Sequence, residues 1–156
     1  MLKLHLVAIG ERMPPWVNEG FSEYCKRIRG RMTLELIEVS ASKRGKGADL
    51  ARIGADEERR LTAAIPSACR RIALDRSGRS VSTRDIVDRM DRWLQEGDRV
   101  ALVVGGPEGL SREFIDAADE CWSLSALTFA HPVARVVIAE QLYRCWSVLE
   151  GLPYHR

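Results

Sequence analysis

The chain has 156 residues, 46% of them hydrophobic, enough for one well-filled core and too few for two comfortable domains, so residues 1–156 are expected to form a single domain. Four cysteines, Cys25, Cys69, Cys121 and Cys145, lie far apart, with neither a Cys-x-x-Cys pair nor a Cys/His cluster of metal-ligand spacing, which argues against a zinc site. A net charge of only +2 does not by itself mark a nucleic-acid binder.

Short β-rich runs alternate with longer amphipathic stretches, the pattern of an α/β layer fold. The first strand is predicted over residues 2–9. Its apolar run is short and interrupted by His5, too little for a secretion signal or a membrane span, so a cytoplasmic protein with reduced thiols and no membrane partner is expected. A helix over 15–29 precedes a second strand over 32–39, where MTLELIEV alternates apolar and polar residues. Between Lys26 and Lys46 stand seven basic residues against two acidic ones, and the loop SASKRGKGAD, residues 40–49, carries Lys43, Arg44 and Lys46. This stretch is either a phosphate-docking patch or a solvated helix end and loop.

After a helix over 49–64, a third strand over 71–74 runs into the turn LDRSGR, with Asp75 at the strand's end. Ligands of parallel α/β sheets bind there, and an Asp at that position equally serves as a cap. A helix over 83–95, capped by Ser82, leads to a strand over 100–104 and then Gly105, Gly106, Pro107, Glu108 and Gly109. Glycines there let a ligand approach the backbone, although an ordinary strand-to-helix turn reads the same way. The stretch is neither a P-loop, since Gly-Lys-Ser/Thr is missing, nor the dinucleotide fingerprint, since the spacing is wrong.

Next come a helix over 112–118 capped by Ser111, a strand over 121–127, and a polar loop through His131 and Pro132 into a final helix over 132–149. Ala134, Ile138, Leu142, Cys145 and Leu149 make one buried stripe of that helix, with Arg135, Gln141 and Arg144 off it. Val133, Val136, Val137, Tyr143 and Trp146 widen the apolar surface, which calls for cover from a partner subunit or from the chain's own core. Glu140 and Arg144 stand i,i+4. The sequence ends GLPYHR, and Tyr154, His155 and Arg156 are side chains suited to holding a base or phosphate, or else a solubilising end. No Gly-x-Ser-x-Gly elbow, His-Glu-x-x-His or Cys-His signature points to hydrolysis.

Together, KRGK at Lys43, LDRSGR, GGPEGL, SLSALTFAHP, AEQLYRCWS and PYHR resemble, in order and over the whole chain, the small bacterial 23S ribosomal RNA pseudouridine N3-methyltransferases, the RlmH family of the SPOUT class. The resemblance implies a mostly parallel sheet of about five strands flanked by helices, a deep C-terminal trefoil knot, a homodimer, and S-adenosylmethionine as cofactor without a metal. It implies that Leu74, Gly105, Leu124, Ser125, Ala126, Leu127, Thr128 and Phe129 hold the cofactor. Lys43, Arg44, Lys46 and Arg144 are expected to meet RNA, and Tyr154, His155, Arg156 and Glu140 to serve the catalytic step, His155 first and Glu140 second as proton acceptor. The implied substrate is N3 of a pseudouridine in a hairpin loop of 23S rRNA in the large ribosomal subunit. In TFAHP, Ala130 stands where the family pattern has a proline. A ribosome-binding assembly factor of the same fold without methyl transfer is the competing expectation. A nucleotide-dependent oxidoreductase is disfavoured, because no Gly-x-Gly-x-x-Gly follows the first strand.

Overall fold

A computed structural model describes residues 1–155, with the side chain of His155 and all of Arg156 outside the described residues. Strands β1 (Leu2–Ile9), β2 (Met32–Val39), β3 (Arg70–Ser80), β4 (Arg99–Val104) and β5 (Glu120–Ser123) form one sheet in the order β2-β1-β4-β3-β5, every pair parallel. The interleaved helices are α1 (Pro15–Cys25), α2 (Leu50–Ala64), α3 (Thr83–Glu96), α4 (Arg112–Ala117) and α5 (His131–Leu149), and a 3₁₀ turn covers Pro153–His155.

The alternation of side chains explains the layers. Leu2, Leu4, Leu6 and Ala8 of β1 join Val100, Leu102 and Val104 of β4 in a core completed by α1, α3 and α5. Val7 and Ile9, with Ala101 and Val103, face the other way onto Leu61 and Ile65 at α2 and Phe114 of α4. Both faces are covered, so β1 and β4 read as nearly continuous apolar runs. Trp93 of α3 stacks on Trp122 of β5 at 5.9 Å and closes the core near the sheet's edge.

Helix α1 stops at Cys25 rather than 29, because its last turn tightens into the i→i+3 bonds Arg27 N–H to Tyr24 O and Ile28 N–H to Cys25 O. Strand β5 ends at Ser123 rather than 127, where its partner β3 ends and the Ser125 hydroxyl accepts from Leu127 N–H to turn the chain. Strand β3 runs to residue 80 instead of 74. Leu74 and Arg79 both register with Trp122, so residues 75–78 leave the ladder as an excursion within one strand. Gly78 is required there, since a Cβ would lie 2.7 Å from the Cys121 carbonyl group.

The stripe of α5 also differs from the periodicity reading. Arg135 is inside it and 1% exposed, while Ala134 is half-buried. The guanidinium reaches the end of β1, donating to Gly10 O at 2.6 Å and Ile9 O at 3.2 Å, and pairs with Glu38 at 2.6 Å. Hydropathy scores arginine as surface, but open carbonyls at a strand end supply the acceptors that let it be buried.

Candidate active site

In an all-parallel sheet the carboxyl ends of the strands lie along one edge, and chain order reverses at β1, with β2 on one side and β4 on the other. At that edge a cleft of about 1160 Å³ opens between the excursion after Leu74, the loop after Val104 and residues 123–131. Leu74, Gly105 and Leu124, Ser125, Ala126, Leu127, Thr128 and Phe129 all line it. Sequence reasoning did not assign Arg76, Arg112, Ile115 or His131 to the cleft, which they also line.

Each wall has a local cause. Gly105 is buried, and a Cβ on it would come within 2.9 Å of the Gly109 carbonyl group and of Leu110 Cδ2, so the loop folds back on itself only without a side chain there. Asp75 fastens this loop to the excursion: its carboxylate accepts from Ser77 N–H at 3.0 Å and from Leu110 N–H at 3.4 Å. The cap reading of Asp75 therefore holds. Arg76 reaches across and donates to Thr128 Oγ1 at 3.1 Å, tying the excursion to the 124–130 loop. Ala130 caps α5 with φ −58°, the value a proline would impose, so the loop keeps its path without one.

Arg44 does something other than wait for a phosphate. Its guanidinium binds Glu57 at 2.6 and 2.9 Å and Glu108 at 2.8 to 3.2 Å, with its side chain 21% exposed. Glu57 is 3% exposed and also accepts from Ser42 N–H. Arg44 holds the Glu108 carboxyl below the usual carboxylate range, and the cluster staples the 40–49 loop to the glycine loop. Its charge is engaged by two carboxylates within the chain, where the expectation had set it against RNA. Lys43 and Lys46 of the same loop are exposed.

Of the expected catalytic set, Glu140 and Tyr154 lie outside the cleft. Glu140 does not line the cleft: one oxygen accepts from Arg144 at 2.6 and 2.9 Å and from Tyr154 Oη at 3.2 Å, and the other from Gln141 at 2.8 Å. Arg144 is thereby engaged within α5 and also sits 5.0 Å over the Tyr154 ring. Tyr154 meets Tyr143 edge-on at 4.4 Å. Burial, then the Glu140 charge, pushes its phenol up to about 12, so it stays protonated at neutral pH. Within one chain Tyr154 thus packs on α5, away from the cleft. The catalytic expectations for the His155 side chain and for Arg156 lie outside the described residues. Among the described residues no group of three metal-ligating side chains converges, and no helix is long and apolar enough to cross a membrane.

A glycine-walled cleft at the carboxyl edge of a parallel sheet, capped by a C-terminal helix, is a small-molecule site of the kind α/β transferases use. The family model described as "Predicted SPOUT methyltransferase" matches residues 2–155, and the chain belongs to that family of methyltransferases. Among its relatives, the "Ribosomal RNA large subunit methyltransferase H" of Thioalkalivibrio sulfidiphilus (strain HL-EbGR7) is 52% identical over 155 residues, 99% of each chain. The protein of the same name from Methylococcus capsulatus (strain ATCC 33009 / NCIMB 11132 / Bath) is 48% identical over 155 residues, 99% of this chain and 100% of that one. These are relatives of the type that the motifs resemble. A solved structure of a probable methyltransferase from Bordetella pertussis Tohama I superposes with a TM-score of 0.56 at 16% identity, over 92% of this chain and 95% of that one. A probable methylase family protein from Haemophilus influenzae Rd KW20 gives 0.56 at 11%, over 99% of this chain and 70% of that one. At such identities the likeness speaks for the fold alone.

Proposed function

We propose that this methyltransferase takes its methyl group from S-adenosylmethionine and places it on N3 of a pseudouridine in a hairpin loop of 23S rRNA, acting on the large ribosomal subunit as a homodimer with a knotted C-terminal segment. The observation that carries the reading is the convergence of all eight residues of the motif-derived cofactor set on one cleft. That cleft fits the group. Leu74, Leu124 and Phe129 offer apolar surface to an adenine, and the glycine loop and residues 124–130 offer backbone donors and acceptors. The Arg44 charge near the loop is neutralised by Glu57 and Glu108, as a cationic sulfonium requires. The volume leaves room for a nucleobase beside the cofactor.

When bound, the sulfonium supplies an already activated methyl group, so the protein's work is to align the acceptor nitrogen and receive its proton. Half-buried Val133, Val136 and Val137 on α5, and Trp16 at 56% exposure on α1, support a second subunit packed there. In such a dimer Tyr154, His155 and Arg156 of one protomer serve the base held at the partner's cleft. Lys43 and Lys46 dock the RNA backbone. Reversing both charges, Lys43→Glu with Lys46→Glu, is expected to raise the KM for ribosomes about tenfold, with kcat unchanged and a shallower salt dependence. A change confined to kcat would remove the loop from the docking surface.

Calorimetric titration with S-adenosylmethionine tests the cofactor reading. The wild-type protein is expected to bind. Gly105→Val is expected to weaken binding about 10- to 100-fold, because overpacking against Gly109 and Leu110 costs roughly 1–3 kcal/mol and deforms the cleft wall. Absence of wild-type binding at millimolar ligand would favour the non-catalytic assembly factor.

A further inference from the structure

We propose that His131 is the proton acceptor of the methyl-transfer step, an inference that rests on the functional reading above. His131 is the first residue of α5, directly after the 124–130 loop, and lines the cleft. Its ring is half-buried beside the end of β1, with Cε1 3.8 Å from the point a Gly10 Cβ would occupy. Other polar side chains of the cleft are engaged: Asp75 by Ser77 and Leu110, Glu108 by Arg44, Arg76 by Thr128, Ser125 by Leu127. Among the described residues, neither ring nitrogen of His131 has a hydrogen-bond partner. It is an imidazole without an internal hydrogen-bond partner in the wall of the cleft.

The surroundings keep a ring lone pair free. Arg135 stands four residues on along the same helix, and the charges of Arg44 in the 40–49 loop and Glu57 on α2 also act on the ring. Burial, then the two guanidinium groups, holds the imidazole below its ordinary value near 6.5, and Glu57 opposes them only in part. The ring is therefore neutral at physiological pH, the state a base needs. Among the described side chains, the other candidates are weaker on geometry. Glu140 is saturated by three donating side chains away from the cleft, and His5, 7% exposed in β1, does not line it.

The balance closes. As N3 forms its bond to the methyl carbon and the carbon–sulfur electron pair stays on sulfur, His131 takes the N3 proton. One cationic sulfonium and one neutral imidazole become a neutral thioether and an imidazolium, which afterwards loses its proton to water.

Two measurements test the assignment. The imidazole signals of the wild-type protein are followed by NMR across pH, with His131 assigned by its absence in His131→Gln. Methyl transfer to ribosomes is measured in parallel, with His131→Asn as a second variant. His131 is expected to titrate below 6.5, and the wild-type rate to fall as pH drops through that same value. Both variants are expected to lose kcat about 100-fold or more and the acid limb, with S-adenosylmethionine affinity and the KM for ribosomes within about threefold. Variant rates within threefold of an active wild type, an unaltered acid limb, or titration above 7 would overturn the assignment. Lost cofactor affinity would overturn it too, by making His131 a ligand. A wild-type protein with no methyl transfer to ribosomes would overturn the functional reading, and this proposal with it.

Discussion

Replacing Arg135 by methionine is expected to cost about 3 kcal/mol of folding stability, the low end of the penalty for removing one partner of a buried ion pair. The guanidinium is 1% exposed and donates to Gly10 O, Ile9 O and Glu38, so methionine would leave two strand-end carbonyls facing an apolar side chain. Glu38 is about one-third exposed and can regain water, which keeps the cost from the top of the range. For a chain of this length the loss corresponds to a Tm lower by roughly 6–12 °C. Arg135→Lys should fall between the two, since it keeps the charge and loses the planar fork. A fall in urea-unfolding stability below about 1 kcal/mol for Arg135→Met would mean that the pair adds nothing beyond packing.

With the tail in its proposed role at the RNA step, deleting Tyr154 to Arg156 is expected to reduce methyl transfer to ribosomes at least 100-fold while leaving S-adenosylmethionine affinity within about threefold. The structure adds a second effect. The Tyr154 ring packs on Tyr143 and under Arg144, and its hydroxyl donates to Glu140, so the deletion should also lower stability by roughly 1–2 kcal/mol, a few degrees in Tm. Tyr154→Phe separates the two roles, since it keeps the ring contact and removes only the hydroxyl. Sedimentation of the truncated protein should show an unchanged association state. Full activity after truncation would return the tail to a packing role, and loss of cofactor binding would make it a lid.

Much of the fold was legible because β1 and β4 are buried on both faces and read as apolar runs, while Ser82 and Ser111 cap α3 and α4 as their positions foretold. The cleft was legible through motifs: the carried-over residues come from three separate segments that only the sheet's parallel order brings to one edge. What could not be read were contacts distant in sequence. Arg44 lies 64 residues from Glu108, so its basic neighbourhood was visible and its two carboxylate partners were not. Arg135 meets Glu38 across 97 residues, and a 3.6-residue period has no means of scoring a buried arginine as interior. The excursion at 75–78 was read as the turn ending a strand, since its return to the same ladder depends on β5, which begins only at Glu120. His131 was passed over as a step into the last helix, and only the folded cleft shows it without a partner.

Methyl transfer to N3 of a 23S rRNA pseudouridine is tested most directly on ribosomes from a strain lacking this methyltransferase, incubated with the purified protein and S-adenosylmethionine. The 23S rRNA is then digested and its nucleosides analysed by mass spectrometry. One added methyl on N3 of a single hairpin-loop pseudouridine is the result predicted here. A 23S rRNA that gains no methyl group, or gains it on a different base, would contradict the account.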